Sequence, residues 1–347
     1  MEARSVIKPH DRLAIYMEGA VGDPSGKMGY GVLRYSRNEI ACVIDSHTAG
    51  GTLPTHLSPS GDVPIVSSVS KAKALGATVF VLGLAVSGGA IPDEWYGPIG
   101  EAVAGGMSIV NGLHDKLGPR YPGLPDGQWI WDIRQEPAGL PVASAAAGKL
   151  ANRRLLLIGT DMAVGKMTAG LEIYAQAVAQ GVSTGFVATG QIGMTITGAG
   201  VPLDAIRVDF AGGSIEREVL SHADKQLVII EGQGSLLHPG STANLPLLRG
   251  SMPTHLVLCC VAGQETLYRA PEIRIPSLDK LVRLNEDLAE ACGVYGRPKC
   301  VAIAVNGSHV SSAEAAEYKR RVSGETGLPA FDPIADGAAG LLAAVMA

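Results

Sequence analysis

At 347 residues the chain is longer than one hydrophobic core usually serves, so two domains are expected. Its 46% hydrophobic and 18% charged residues describe an ordinary globular protein, and a net charge of -5 gives no electrostatic footprint for nucleic acid. The 45 glycines suit repeated strand-to-helix turns better than a helical bundle, and no uninterrupted apolar run is long enough to span a bilayer.

The chain opens on MEARSVIKPHDR, which lacks the apolar core of a signal peptide, so a cytoplasmic location is expected. Short apolar runs then alternate with helical stretches. RLAIYM (12–17), IACVID (40–45), ATVFVLGLA (77–85) and MSIVNG (107–112) read as strands. MGYGVLRYS, VSSVSKAKALG and DEWYGPIGEAVAGG read as helices between them. Such alternation predicts a doubly wound, largely parallel sheet. The stretch 119–148, with five prolines and the small-residue run VASAAAG, reads as an interdomain connection that includes a short strand in WIWDIR (129–134). The pattern restarts at RRLLLIGT (153–160) and continues through VSTGFVATG, KQLVIIEG, HLVLCCV and KCVAIAVNG, with helices between and a last helix in GAAGLLAAVMA. The expected fold is thus α/β with two doubly wound domains. Residues 1–140 form a Rossmann-like domain, and 150–347 a P-loop NTPase-like domain with a mostly parallel sheet.

The first domain carries MEGAVGDPSGKMGYG after its first strand and Asp45 at the end of its second, where an acid can meet a ribose hydroxyl. The dinucleotide pattern G-x-G-x-x-G is not matched cleanly. With the Pro64–Val66 strand start and VSGGAIP, the stretch resembles the coenzyme A-binding domain of succinyl-CoA ligases; a Rossmann-like domain used for packing is the alternative. In IVNGLHDKL, His114 near Asp115 is either a general base or part of a surface loop. The five cysteines, with no C-x-x-C, are expected to be reduced and mostly buried.

GTDMAVGKMT, Gly159 to Thr168, follows the apolar RRLLLI and precedes a helix. Backbone N–H groups in such a turn, the positive helix end and Lys166 make a phosphate cradle. Gly159, Thr160, Met162, Ala163, Val164, Gly165, Lys166, Met167 and Thr168 are the expected contacts. The hydroxyl that normally follows the lysine and holds Mg²⁺ is replaced by Met167. Thr168 lies about 100° further round the helix. The loop therefore suits holding phosphate better than transferring it.

Five residues separate Gly159 from Gly165, and in this the loop resembles the dethiobiotin synthetase branch of P-loop proteins. LVIIEGQGSL and AIAVNG resemble that branch's strands ending in an acid beside the phosphates and an Asn at the base, which points to Glu231 and Asn306. The loops after these strands offer further candidates. GQGSLLHPGSTANLPLLRG (232–250) supplies Gln233, Ser235 and His238, with Arg249 as a carboxylate clamp. Residues 188–213 supply Gln191, Arg207 and Asp209, of which the last two act on substrate or pair with each other. Asp161, Glu231 and His238 are the candidate bases, in no fixed order. No zinc spacing and no nucleophile elbow occurs, so no metal is expected.

EGAVGDPSGKMG, VNGLHDKL, WDIRQEP, GTDMAVGKMT, ATGQIG, VDFAGG, IEGQGSLLHPGS and PLLRGSMPTH together resemble a family of two-domain P-loop proteins, long known as a domain of unknown function. Its characterised members are D-glutamate N-acetyltransferases of D-glutamate catabolism. The resemblance implies acetyl-CoA as cosubstrate, transfer to an amino acid's nitrogen, no metal requirement and a homo-oligomer, dimer or higher; direct transfer is preferred to an acyl-enzyme because no cysteine has a convincing activated setting. The alternatives are a Mg-ATP-dependent carboxylate-activating enzyme of the dethiobiotin synthetase kind and a non-catalytic nucleotide- or CoA-sensing protein.

Overall fold

A computed structural model describes residues 6–53, 57, 61–86 and 88–347. Residues 1–5 of the opening stretch and Ser87 of VSGGAIP lie outside the described residues. The chain forms two compact units. One comprises Ala3–Glu136 with Gln191–Ala205, the other Pro137–Gly190 with Ile206–Ala347.

In the first unit the strands are β1 (Leu13–Tyr16), β2 (Ile40–Ile44), β3 (Thr52–Leu53), β4 (Val63–Val66), β5 (Val79–Leu82), β6 (Ser108–Asn111) and β7 (Ile130–Asp132). They lie in the order β3-β4-β2-β1-β5-β6-β7, parallel except at β3–β4. Helices α1 (Lys27–Tyr35), α2 (Val69–Ala74) and α3 (Tyr96–Ala104) make the crossovers. Because helices flank such a sheet, β1, β2 and β5 are buried along their whole length, which is why they read as unbroken apolar runs. WIWDIR contributes β7 at the sheet edge.

The polar loops of this unit are hydrogen-bonded to one another. The buried Asp45 carboxylate accepts the N–H of Gly19 at 2.9 Å and the hydroxyl of Thr48, so it ties the loop after β2 to the loop after β1. Asn111 donates to Asp132 at 2.8 Å, Asp115 accepts the N–H of Ile91 at 2.7 Å, and His114 contacts Arg134.

The second unit is built on β8 (Arg153–Gly159), β9 (Thr184–Val187), β10 (Leu227–Ile230), β11 (His255–Val261), β12 (Thr266–Leu267), β13 (Ala270–Arg274), β14 (Lys299–Asn306) and β15 (Ala330–Phe331). Six of them form a parallel sheet in the order β15-β14-β11-β8-β10-β9; β12 and β13 form a separate hairpin. The helices are α4 (Lys166–Ala179), α5 (Gln191–Thr197), α6 (Val208–Leu220), α7 (Asn244–Ser251), α8 (Leu278–Glu290), α9 (Ser312–Thr326) and α10 (Ala339–Met346), of which α5 clusters with the first unit. The chain passes from β8 to β9 and β10 on one side and then to β11 on the other. The strand order therefore reverses about β8, and ligands of open α/β sheets bind at such a reversal.

The chain entering this unit is docked on α6. Both oxygens of Glu216, a buried carboxylate, are used: Oε2 accepts from Ser144 N and Oγ at 2.9 Å, and Oε1 from Ala146 N at 2.7 Å. A Cβ on Gly213 would stand 1.9 Å from the Pro141 carbonyl oxygen, so only glycine lets the chain approach α6 there. At α9, Ser311 and Glu314 form a capping box, and Gly327 ends the helix in the left-handed region at φ 69°.

Candidate functional site

The site is built where β8 ends. Residues 160–165 turn from the strand into α4, with Ala163 at φ 57° and Gly165 at φ 98° as N-cap. This turn carries no acidic side chain into the first turn of α4, so the positive end of the helix is left open to an anion. Lys166 is buried, and its Nζ donates to the Asp161 carbonyl oxygen at 2.8 Å. Burial pulls its pKa down to about 8. Met167 and Thr168 are half-buried in the same turn of α4.

The β10 end packs against this loop. A Cβ on Gly232 would lie 1.6 Å from the Leu157 carbonyl oxygen, so the backbones of β8 and β10 approach as only glycine allows. Glu231, one residue earlier, is buried. Its Oε2 accepts the N–H groups of Thr189 at 2.9 Å and Gly190 at 3.2 Å. Burial pushes its pKa up to about 7; those two bonds and the charge of Lys166 act in the opposite sense. Ser235 donates through Oγ to the Thr160 carbonyl at 2.9 Å, and Gln233 donates to the Thr189 carbonyl. Asn306, ending β14, stands beside the loop: its Cβ is 3.9 Å from where a Gly165 Cβ would be. The fold thus gathers the phosphate-loop residues, Asn306, Glu231, Gln233 and Ser235 around one strand end.

The other expectations have different outcomes. Asp161 is fully buried, and its carboxylate is spent inside the protein. Oδ1 accepts Met162 N at 2.6 Å, and Oδ2 accepts Gln264 Nε2 at 2.8 Å and Tyr268 N at 2.7 Å. A carboxylate holding three donors is an anchor for the β12–β13 hairpin, not an open base. His238 accepts Gly240 N through Nδ1 at 3.1 Å, while its Nε2 is buried without a hydrogen-bond partner. Arg249 is a correction. It lies on α7, and its guanidinium donates to the Leu288 and Ala289 carbonyls at 3.0 and 3.1 Å, while stacking 4.9 Å from the Tyr295 ring. Those carbonyls belong to the last turn of α8, which has no intrahelical donor for them, so the arginine caps a helix instead of clamping a substrate. Arg207 and Asp209 are exposed at the start of α6, with the Arg207 guanidinium 4.8 Å from the Phe210 ring centroid. Gln191 opens α5 and packs near Gly112, within the first unit.

The buried thiols are not activated. Burial pushes Cys42, Cys259, Cys260 and Cys300 up to about 12, and all are free thiols. Among the described residues no group of three or more His, Cys, Asp and Glu is placed to hold a metal ion, and no helix is long and apolar enough to cross a membrane. Sequence reasoning missed the hairpin's part in the site. Gln264 and Tyr268 reach Asp161 from more than a hundred residues away, and only the spent carboxylate signals it.

Residues 141–342 match the family model described as the P-loop domain of a domain of unknown function (DUF1611_C), and residues 46–136 match its Rossmann-like partner (DUF1611_N). The chain is 37% identical to a D-glutamate N-acetyltransferase of Tritonibacter scottomollicae, covering 81% of this chain and 84% of that protein. It is 35% identical to a protein of the same name from a Pseudoalteromonas species, over 87% and 89%. A crystal structure of a DUF1611 family protein from Anabaena variabilis superposes with a TM-score of 0.91 at 45% identity, covering 97% of this chain and 99% of that one.

Proposed function

The chain belongs to the DUF1611 family and is an acyltransferase, and from that premise we propose that it moves an acetyl group from acetyl-CoA to the amino group of an amino acid, with D-glutamate the first substrate to try. The observation that carries this reading is the phosphate cradle at the end of β8, with Lys166 behind it and Met167 where a magnesium-holding hydroxyl would stand. Such a loop suits holding a pyrophosphate, and it lacks the hydroxyl that ordinarily places a magnesium ion for its cleavage. Asn306 beside Gly165 suits the adenine of the same molecule.

In the transfer, the acceptor ammonium first loses a proton. The free amine attacks the thioester carbonyl, the nitrogen–carbon bond forms and the carbon–sulfur bond breaks. The second proton of the nitrogen ends on the departing thiol. The raised thiol pKa values speak for this direct route over an acyl-enzyme. The pantetheine arm is about as long as four extended residues, roughly 14 Å. With the pyrophosphate on Lys166, the reacting carbonyl can lie anywhere up to an arm's length from the loop. Glu231 then serves the phosphate end, as a carboxyl group that can stay protonated beside an anion near neutral pH.

The test is thiol release from acetyl-CoA with a panel of D- and L-amino acids, together with calorimetry of CoA and Mg-ATP. Release with an acidic amino acid and CoA binding without Mg-ATP binding are expected. Tight Mg-ATP binding without CoA binding would sink the reading in favour of an ATP-using enzyme. CoA binding with no release from any amino acid would leave a CoA sensor. Met167→Thr should raise Mg-ATP affinity if the missing hydroxyl is what keeps metal-bound nucleotide out.

A further inference from the structure

Next to the phosphate loop, on its β11 side, the second unit holds a cavity of about 330 Å³. This is at the small end of ligand-binding pockets. Thr160 and Cys260 line its inner end, and both are buried. The Thr160 hydroxyl has no hydrogen-bond partner, although Thr160 belongs to the phosphate loop. A buried hydroxyl in a well-packed protein normally finds a partner, so an unpaired one beside a cavity points to something that enters it.

The charged groups of the lining give the class of that occupant. Arg274 comes from β13 and Arg321 from α9; both are exposed, and among the described residues neither has an ion-pair partner. The Arg321 guanidinium stacks 4.8 Å from the Tyr318 ring centroid. Stacking fixes the plane of the guanidinium and leaves its in-plane N–H groups for a carboxylate. Two carboxylates also line the cavity. Glu325 accepts the N–H of Leu278 and so is committed to the start of α8. Glu265 is exposed, and its side chain has no such commitment among the described residues. Two available guanidinium groups and one available carboxylate complement a small molecule with two carboxylates and one ammonium.

We infer that this cavity seats the acceptor, an acidic amino acid, with Arg274 and Arg321 on its two carboxylates and Glu265 on its ammonium group. Thr160 joins the seat to the phosphate loop. The assignment rests on the acetyl-transfer reading for the word acceptor, and on the lining alone for the class of ligand. The seat opens on the β11 side of the loop, whereas Glu231 follows β10 on the other side. The Glu231 carboxylate faces away from it, against Thr189 and Gly190.

The experiment is calorimetry of D-glutamate and of glutarate with the full-length protein and with Arg274→Ala and Arg321→Ala, alongside initial rates with acetyl-CoA. Both replaced side chains are exposed, and unchanged CoA affinity checks that each variant is folded. The expected result is binding of D-glutamate that weakens about tenfold or more in each variant, with a matching rise in its KM and no change in the KM of acetyl-CoA. Arg321→Lys should recover part of the loss. Glutarate, which lacks the ammonium group, should bind more weakly than D-glutamate and lose that disadvantage in Glu265→Gln. Acetyl transfer to D-glutamate with an unchanged acceptor KM in both arginine variants would overturn the seat and leave the function standing. Arginine-dependent D-glutamate binding without any acetyl transfer would overturn the function and leave the ligand class standing. Absence of D-glutamate binding to the unaltered protein would overturn the seat.

Discussion

Lys166 and Glu231 are both buried, and burial moves them toward each other on the pH scale, the amine down to about 8 and the carboxyl up to about 7. An arriving pyrophosphate favours the protonated form of each, because it attracts the ammonium and repels the carboxylate. Anion binding at this loop should therefore take up protons between about pH 7 and 8. It should weaken as pH rises through that window, as Glu231 ionises and Lys166 loses its charge. Calorimetry of CoA in two buffers of different ionisation enthalpy measures the uptake. Glu231→Gln should remove the carboxyl's share and leave the part from the lysine. Pyrophosphate binding with no proton exchange at pH 7.5 would mean that the phosphates lie away from both groups.

At the level of elements, Arg249 supports α8 through two carbonyls and a tyrosine ring. Arg249→Ala should lower stability by about 1–3 kcal/mol, as for loss of hydrogen bonds to a charged group, and leave acceptor affinity unaltered. Thermal unfolding with a binding assay checks both parts; weakened acceptor binding in a variant of full stability would return Arg249 to the site. The strand-to-helix turn at Gly159–Thr168 was readable because its chemistry is local, with each residue acting within one loop. Helix α7 was not readable, since HPGSTANLPLLRG carries no helical period and its Pro246 is tolerated only because it falls in the first turn. Helix α5 hid in the same way: TGQIGMTIT is built of poor helix formers. The hydroxyls of Thr195 and Thr197 bond back to the carbonyls of Gln191 and Gly193 at 2.8 and 2.9 Å.

Over the whole molecule, two α/β units follow from alternating apolar runs, because both faces of a parallel sheet must be covered. Which segment packs with which unit is a matter of contacts that no local pattern carries. Gln191–Ala205 follows β9 of the second unit, yet clusters with the first. The same holds for Asp161, whose motif position suggests a free acid and whose partners lie in a distant hairpin.

That clamp has a consequence for timing. One carboxylate oxygen ties the phosphate loop to Gln264 and Tyr268, which flank Glu265 and precede Arg274 along the hairpin. An occupied loop should steady the rim of the neighbouring cavity through this tie, so the cosubstrate should enter before the acceptor. Such a compulsory order gives intersecting initial-velocity lines, with free CoA competing against acetyl-CoA and not against the amino acid. Parallel lines would show instead that the acetyl group rests on the protein between two half-reactions.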